Sequence, residues 1–179
     1  MRLINEVQQW RLNAPRSEPS SSKPSMSVRD LDLMHLQTCL DICSPILRKP
    51  AVDPHILERC ADVASMGCET VRSLCLEPGH QATLTYAFLT FTFGITLLRC
   101  LVVAPGILPL SRTLRGVSAC SSSLAVYTRT LSLSIPLLQT FDMLSDRYFA
   151  IAESSSGPDE DFCMVLHRVS LSSPEGLRE

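Results

Sequence analysis

Asp142 and Asp146 stand four residues apart, a spacing that on a helix sets two carboxylates on one face. Such a pair can hold a divalent cation if further oxygen or imidazole ligands face it from a second helix. The long apolar stretch 82–104 offers none, and Arg147 follows directly, so the pair reads as the wet side of an amphipathic helix. Gly116 to Cys120 spells G-x-S-x-C, a partial nucleophile elbow around Ser118. It lacks the second glycine and lies in a helical pattern, whereas an elbow needs a sharp turn after a strand. Ser118 is therefore expected to be an ordinary helix residue. His35, His55, His80 and His167 have no histidine partner at i+4, and the seven glycines form no phosphate-cradling loop. No catalytic residue, metal ligand or cofactor is expected, and the chain is read as a non-enzyme.

Eight cysteines, at 39, 43, 60, 68, 75, 100, 120 and 163, raise the question of zinc or disulfides. No C-x2-C pair occurs, and structural zinc sites usually carry one. Most of these cysteines fall where a helix face calls for an apolar residue, so they read as small buried thiols in a reducing compartment. Arg99 is the single charge in 82–104. It must reach solvent along its stem, pair with a carboxylate, or bind a ligand. The first is the simplest reading.

These residues would be positioned by helices, chiefly the one over 82–104, which at 1.5 Å per residue would run roughly 35 Å. One stripe reads Leu84, Phe88, Phe91, Ile95, Leu98 and Val102, and the other side carries Tyr86, Phe93, Leu97 and Leu101. Only Thr85, Thr92, Thr96 and Arg99 form a polar seam. A helix apolar nearly all round is either a central core helix or a membrane span. The threonines and the arginine disfavour insertion, and no Lys/Arg cluster flanks the stretch to orient it. The buried helix is the preferred reading, with a protein anchored in a membrane by 82–104 as the alternative.

The flanking segments are amphipathic. Residues 3 to 12 suit a short helix presenting Ile4, Val7 and Leu12 beside Trp10, followed by a Pro/Ser/Lys linker over 13–25. Ser27 and Asp30 resemble a capping box ahead of the stripe Leu33, Leu36, Leu40, Cys43 and Leu47, with a kink or early stop expected at Pro45. Asp53-Pro54 predicts the start of a helix whose stripe is Leu57, Cys60, Ala64, Gly67, Val71 and Leu74, ended by Pro78-Gly79. Its small residues would admit a close neighbour. After the Pro105-Gly106-Pro109 break comes a stripe of Leu114, Val117, Cys120, Leu124, Tyr127 and Leu131. The serines of 118–123 mostly face away from it. Ser134 would cap a last helix with Leu137, Phe141, Leu144, Tyr148 and Ile151. The acidic run Asp159-Glu160-Asp161 predicts a solvated tail. Residues 162–171 suit a brief strand or a brief helix, and the sequence does not choose between them.

The expected architecture is all-α, an irregular bundle of about five to six helices around 82–104. Its divisions are 1–26 as short helix plus linker, 27–152 as the helical domain and 153–179 as a disordered acidic, Ser-rich tail. An apolar fraction of 45% and 19% charged residues describe a chain able to build a core. The net charge of -2 gives no basic stripe for nucleic acid, so direct DNA contact is not expected. Nothing between Met1 and Trp10 resembles a secretion signal.

The order of the pieces resembles the C-terminal half of the middle homology region, the regulatory domain of fungal zinc-cluster transcription factors. Residues 4–15, INEVQQWRLNAP, are similar to that family's short helix ending in a tryptophan before a proline. Residues 31–50, ending ILRKP, resemble its leucine-rich helix with an Arg-Pro step. ERCADVA within 57–74 is similar to its cysteine-alanine helix, and YAFLTFTFGITLL at 86–98 to its central apolar helix. Residues 119–150 resemble its last cysteine-containing helix and the segment beyond. The family's later Trp-Pro step falls on Leu131 and Ser132, an aromatic frequent in its second helix falls on Leu40, and its six-cysteine zinc cluster has no counterpart. The resemblance implies an all-α regulatory domain fragment in the nucleus, or otherwise the cytoplasm. It would act through protein partners or further segments of a longer transcription factor, and an effector ligand is unknown. DNA binding is not carried over.

Overall fold

The computed structural model describes residues 2–14, 28–47, 52–154 and 160–171. Among the described residues every regular element is helical: α1 (Arg2–Asn13), α2 (Val28–Leu47), α3 (Pro54–Cys75), α4 (Leu84–Val103), α5 (Leu110–Thr128), a 3-10 turn (Ser132–Ser134), α6 (Ile135–Ser154) and α7 (Glu160–Leu171). The molecule is an all-α bundle. α4 packs against α3, α5, α6 and α7, α3 also lies along α2 and α5, and α1 rests on α2.

Local chemistry starts the main helices where the sequence places them. The Asp53 carboxylate accepts from the His55 N–H at 2.9 Å, and Pro54 occupies a first-turn position where no N–H is needed. Thr83 caps α4 by accepting from the Tyr86 N–H at 3.3 Å, so the helix opens two residues later than the composition alone suggests. Gly79 turns the chain between α3 and α4 with φ +83°, a conformation that favours glycine.

The stripe of α3 is buried throughout, from Leu57 to Leu74. α4 is buried most deeply on the side of Ala87, Thr90, Phe93, Gly94, Leu97 and Leu101, whereas Leu84, Phe88 and Phe91 of the expected stripe are only half-buried. α3 and α5 cover the first side, and the later members of the expected stripe, Ile95, Leu98 and Val102, are buried as well. Leu114 is 47% exposed because Thr113, Gly116 and Val117 take the inward side of its turn. Leu131 belongs to the link after α5. α2 continues through Pro45 to Leu47, two residues past the expected stop. Leu12 and Trp10 of α1 are exposed, and Val7 is its described contact with the core.

The segment beyond 153 holds one described helix, in the stretch left open to strand or helix. Its described part is α7, whose Phe162 and Leu166 are fully buried and which packs on α4. Two apolar residues four apart anchor this helix. The Arg147 guanidinium lies 5.2 Å over the Phe162 ring, joining α6 to α7. The capping role of Ser27 and the linker over 15–25 fall outside the described residues.

Helix crossings are set by missing side chains. A Cβ at Gly67 would sit 2.5 Å from the Phe93 ring, and one at Gly94 would meet Cys120 Sγ and lie 2.6 Å from Phe141 Cε2. Phe93, Cys120 and Phe141 are themselves fully buried, so none has room to withdraw. In an open helix, Gly→Ala gains about 1 kcal/mol from propensity. Overpacking a tight core costs about 1–3 kcal/mol. The second effect should win here, since the Cβ would overlap two fully buried side chains: Gly94→Ala is expected to lower the urea midpoint of unfolding by the equivalent of up to about 2 kcal/mol net. A raised midpoint would show that the α4–α5–α6 crossing has slack.

Candidate functional site

The densest gathering of titratable groups lies at one end of the bundle, where α2 and α4 begin and α3 and α5 end. Tyr86, in the first turn of α4, donates its hydroxyl to Asp30 Oδ1 at 2.7 Å. The His80 ring, in the α3–α4 link, lies 5.1 Å from that of Tyr86 and 6.2 Å from that of Tyr127. Tyr127 Oη lies 3.5 Å from His80 Nε2. Arg29 reaches over from α2, donating to the Ser73 carbonyl at 2.8 Å and pairing with Glu77 at 2.7 Å, which supports the last turn of α3 as a cation should.

Electrostatics fix what this cluster can do. Burial pushes the Tyr86 phenol up to about 12, and its bond to Asp30 adds to the effect. The fully buried Tyr127 is raised further, first by burial and then by the neighbouring Cys75, itself raised by burial. Both phenols are held as neutral donors, and Asp30 serves as acceptor. The arrangement opposes proton release and acts as a clamp between helix ends.

The residues singled out in the sequence go elsewhere. Asp142 accepts from Ser121 Oγ at 2.7 Å, tying α6 to α5, while Asp146 is exposed, so the two carboxylates do not converge. Among the described residues no group of three or more His, Cys, Asp or Glu is arranged to hold a metal ion. Ser118 is exposed on α5. His35 contacts Cys39 Sγ at 3.7 Å, and burial followed by the charge of Arg11 lowers its proton affinity. His55 flanks the α3 cap, and the His167 side chain lies outside the described residues. Arg99 is partly buried and donates to the Leu47 carbonyl at the C-terminus of α2, an attachment that spacing could not reveal.

Sequence reasoning passed over the Tyr86–Asp30–His80–Tyr127 cluster because its members come from four segments. One signal was available: phenol and hydroxyl groups at Tyr86 and Thr90 on a helix with little exposure must find partners. Thr90 finds the Tyr86 carbonyl at 2.7 Å. The chain matches no protein-family model, and neither a curated protein nor a solved structure is significantly similar to it.

The clamp has a pH signature. With Tyr86 raised to about 12 in the fold, the unfolded chain releases the phenol proton first, so this stability is intact below about pH 10 and lost as pH rises toward 12. Thermal melts across that window should fall, and Tyr86→Phe should melt about 1 kcal/mol less stably at neutral pH with a shallower alkaline decline. An unchanged alkaline slope would remove Tyr86 as its source. Arg99→Met keeps the stem and removes the donor; chemical denaturation should show a loss of about 1–3 kcal/mol from the stranded α2 carbonyl.

Proposed function

We propose that this chain is a non-catalytic regulatory module of the kind found in the middle homology region of fungal zinc-cluster transcription factors. It would work by packing against protein partners or other segments of a longer regulator. The observation that carries the reading is the order of helices. Residues 4–13 of the tryptophan piece lie on α1, residues 31–47 of the leucine-rich piece on α2, ERCADVA on α3, YAFLTFTFGITLL on α4, and residues 119–150 span α5 to α6. The described part of each quoted piece is helical, which supports the reading as far as an all-α domain is what the resemblance implies.

The use of polar groups supports a non-catalytic role. Asp142, Arg99, Tyr86 and Asp30 each join one helix to another. Side chains engaged this way are positioned to hold a shape. The module would contribute surface and rigidity, and DNA reading would belong to a different segment.

A second reading rests on α4, which by length and composition can cross a membrane. Against it, more than half of its most apolar window is buried by the helices around it. A core helix of a soluble bundle passes the same test.

Two measurements separate these readings. Genomic DNA upstream of Met1 should encode, in frame, a cluster of six cysteines with zinc-cluster spacing. A promoter directly before Met1 would sink the transcription-factor reading. Expressed chain should leave membranes on alkaline carbonate washing, and retention in the washed pellet would favour the anchor.

A further inference from the structure

α1 rests on α2, and its polar contacts show how it is seated. Arg11 Nε donates to Asp32 Oδ1 at 2.6 Å and Arg11 Nη2 to the Val28 carbonyl at 3.5 Å, while Arg59 of α3 donates to Gln8 Oε1 at 3.3 Å. Val28, Asp32, His35 and Cys39 follow one another at steps of four, three and four, so they form a single stripe of α2. Arg11 is bonded to the first two members of that stripe. His35 comes next, half-buried and one turn from Asp32, with its Nε2 3.7 Å from Cys39 Sγ. The ring thus stands among the groups that seat α1, two arginines and one carboxylate.

We propose that His35 is an acid-sensitive release for α1: on taking up a proton, its ring sets a third cation beside Arg11 and Arg59, and α1 lifts from α2.

While neutral, the ring leaves Arg11 in undivided possession of Asp32. Once protonated, it competes with Arg11 for that carboxylate and repels both arginines. The charges acting on it come from each helix packed there: Arg11 from α1, Arg59 from α3 and Asp32 from α2 itself. Burial first, and then Arg11, lower the proton affinity of the ring; Asp32 opposes them and Arg59 adds to the lowering. Lifting α1 removes Arg11 and wets the ring, which returns its affinity toward the ordinary value of 6.5. The released form therefore binds the proton more tightly. Docking is fully kept above about pH 6.5 and is lost as the pH falls through the lower value of the docked ring.

α1 is also the element least able to resist. A helix of 12 residues has little stability apart from its neighbour, and terminal elements open at a small fraction of the global free energy. Leu3, Trp10 and Leu12 are exposed, so they add little apolar burial to hold it down. The stripe of α3 is buried throughout, and α4 is enclosed, so the same proton leaves both in place.

The test follows amide hydrogen exchange by mass spectrometry in the folded full chain at about pH 7.5 and about pH 5.5, either side of the ordinary histidine value. Labelling times are scaled so that intrinsic exchange is equal. Peptides from α1 should lose protection several-fold at the lower pH while those from α3 and α4 keep theirs. His35→Gln retains a polar side chain that cannot charge, and should hold α1 equally at both pH values. Trp10, the single tryptophan, gives an independent readout. Its fluorescence anisotropy should fall together with α1 protection in the unmodified chain and stay level in His35→Gln. Equal α1 protection at the two pH values in the unmodified chain overturns the proposal, as does a loss that persists in His35→Gln or one that α3 and α4 share. Because the unmodified chain alone can return the first and last of these negatives, the proposal does not depend on the variant folding.

Discussion

α4 is enclosed on most of its circumference, and the architecture rests on how close its neighbours come. That closeness depends on Gly67 and Gly94. Phe93 lies against the first, while Cys120 and Phe141 fill the hollow left by the second. Interiors pack at crystal-like density, so a hollow of this kind is useful only if it is filled to within a fraction of an ångström. Cys120 does this with a side chain smaller than valine, and its thiol donates to the Thr90 carbonyl at 3.4 Å. Gly116 extends the same principle, for a Cβ there would lie 2.8 Å from both Ser65 Oγ and Leu97 Cδ2.

Enclosure imposes a second condition, that every polar group on α4 find a partner nearby. Two of its threonines meet it within the helix: Thr90 donates to the Tyr86 carbonyl and Thr92 to that of Phe88, each one turn back. Tyr86 at one end and Arg99 at the other reach outward to α2, to the Asp30 carboxylate and the Leu47 carbonyl. α2 is thus tied to α4 at both its ends. Oδ1 of the half-buried Asp62 lies 2.7 Å from Arg112 Nη1 in an ion pair whose angles fall outside hydrogen-bond geometry, and the buried Ser65 Oγ has no hydrogen-bond partner. The α3–α5 crossing therefore favours close packing over polar satisfaction at that point.

Helix identity was legible in the sequence because capping and periodicity are local. Asp53-Pro54 starts α3, Pro78-Gly79 ends it, and every member of its stripe is buried. Direction was not legible for α4, since a helix apolar on all sides carries no mark of which side meets α3 and α5. Over 162–171 the sequence left strand and helix open, and the core decides for helix because Phe162 and Leu166, four apart, are buried together against it. The clamp of Asp30, His80, Tyr86 and Tyr127 was illegible by spacing, because residues separated by 47 or 56 positions meet only once the helices are assembled. Asp142 and Asp146, whose spacing did suggest chemistry, part company because Ser121 of α5 engages one and solvent the other.

The same reasoning bears on whether α4 belongs in a bilayer. Lipid satisfies apolar surface without shape, so a spanning helix needs no hollow at Gly94 filled by one sulfur and one phenyl ring. Here the surrounding helices carry complementary shape as well as apolar faces. Val71 of α3, Leu124 and Tyr127 of α5, Phe141 of α6 and Phe162 of α7 are all fully buried in the one core that contains α4. Withdrawing α4 into lipid would expose those faces to water at about 25 cal/mol per Å² of apolar surface. It would also break the Tyr86–Asp30 and Arg99–Leu47 attachments. The burial of its neighbours, more than its own composition, argues for α4 as a core helix.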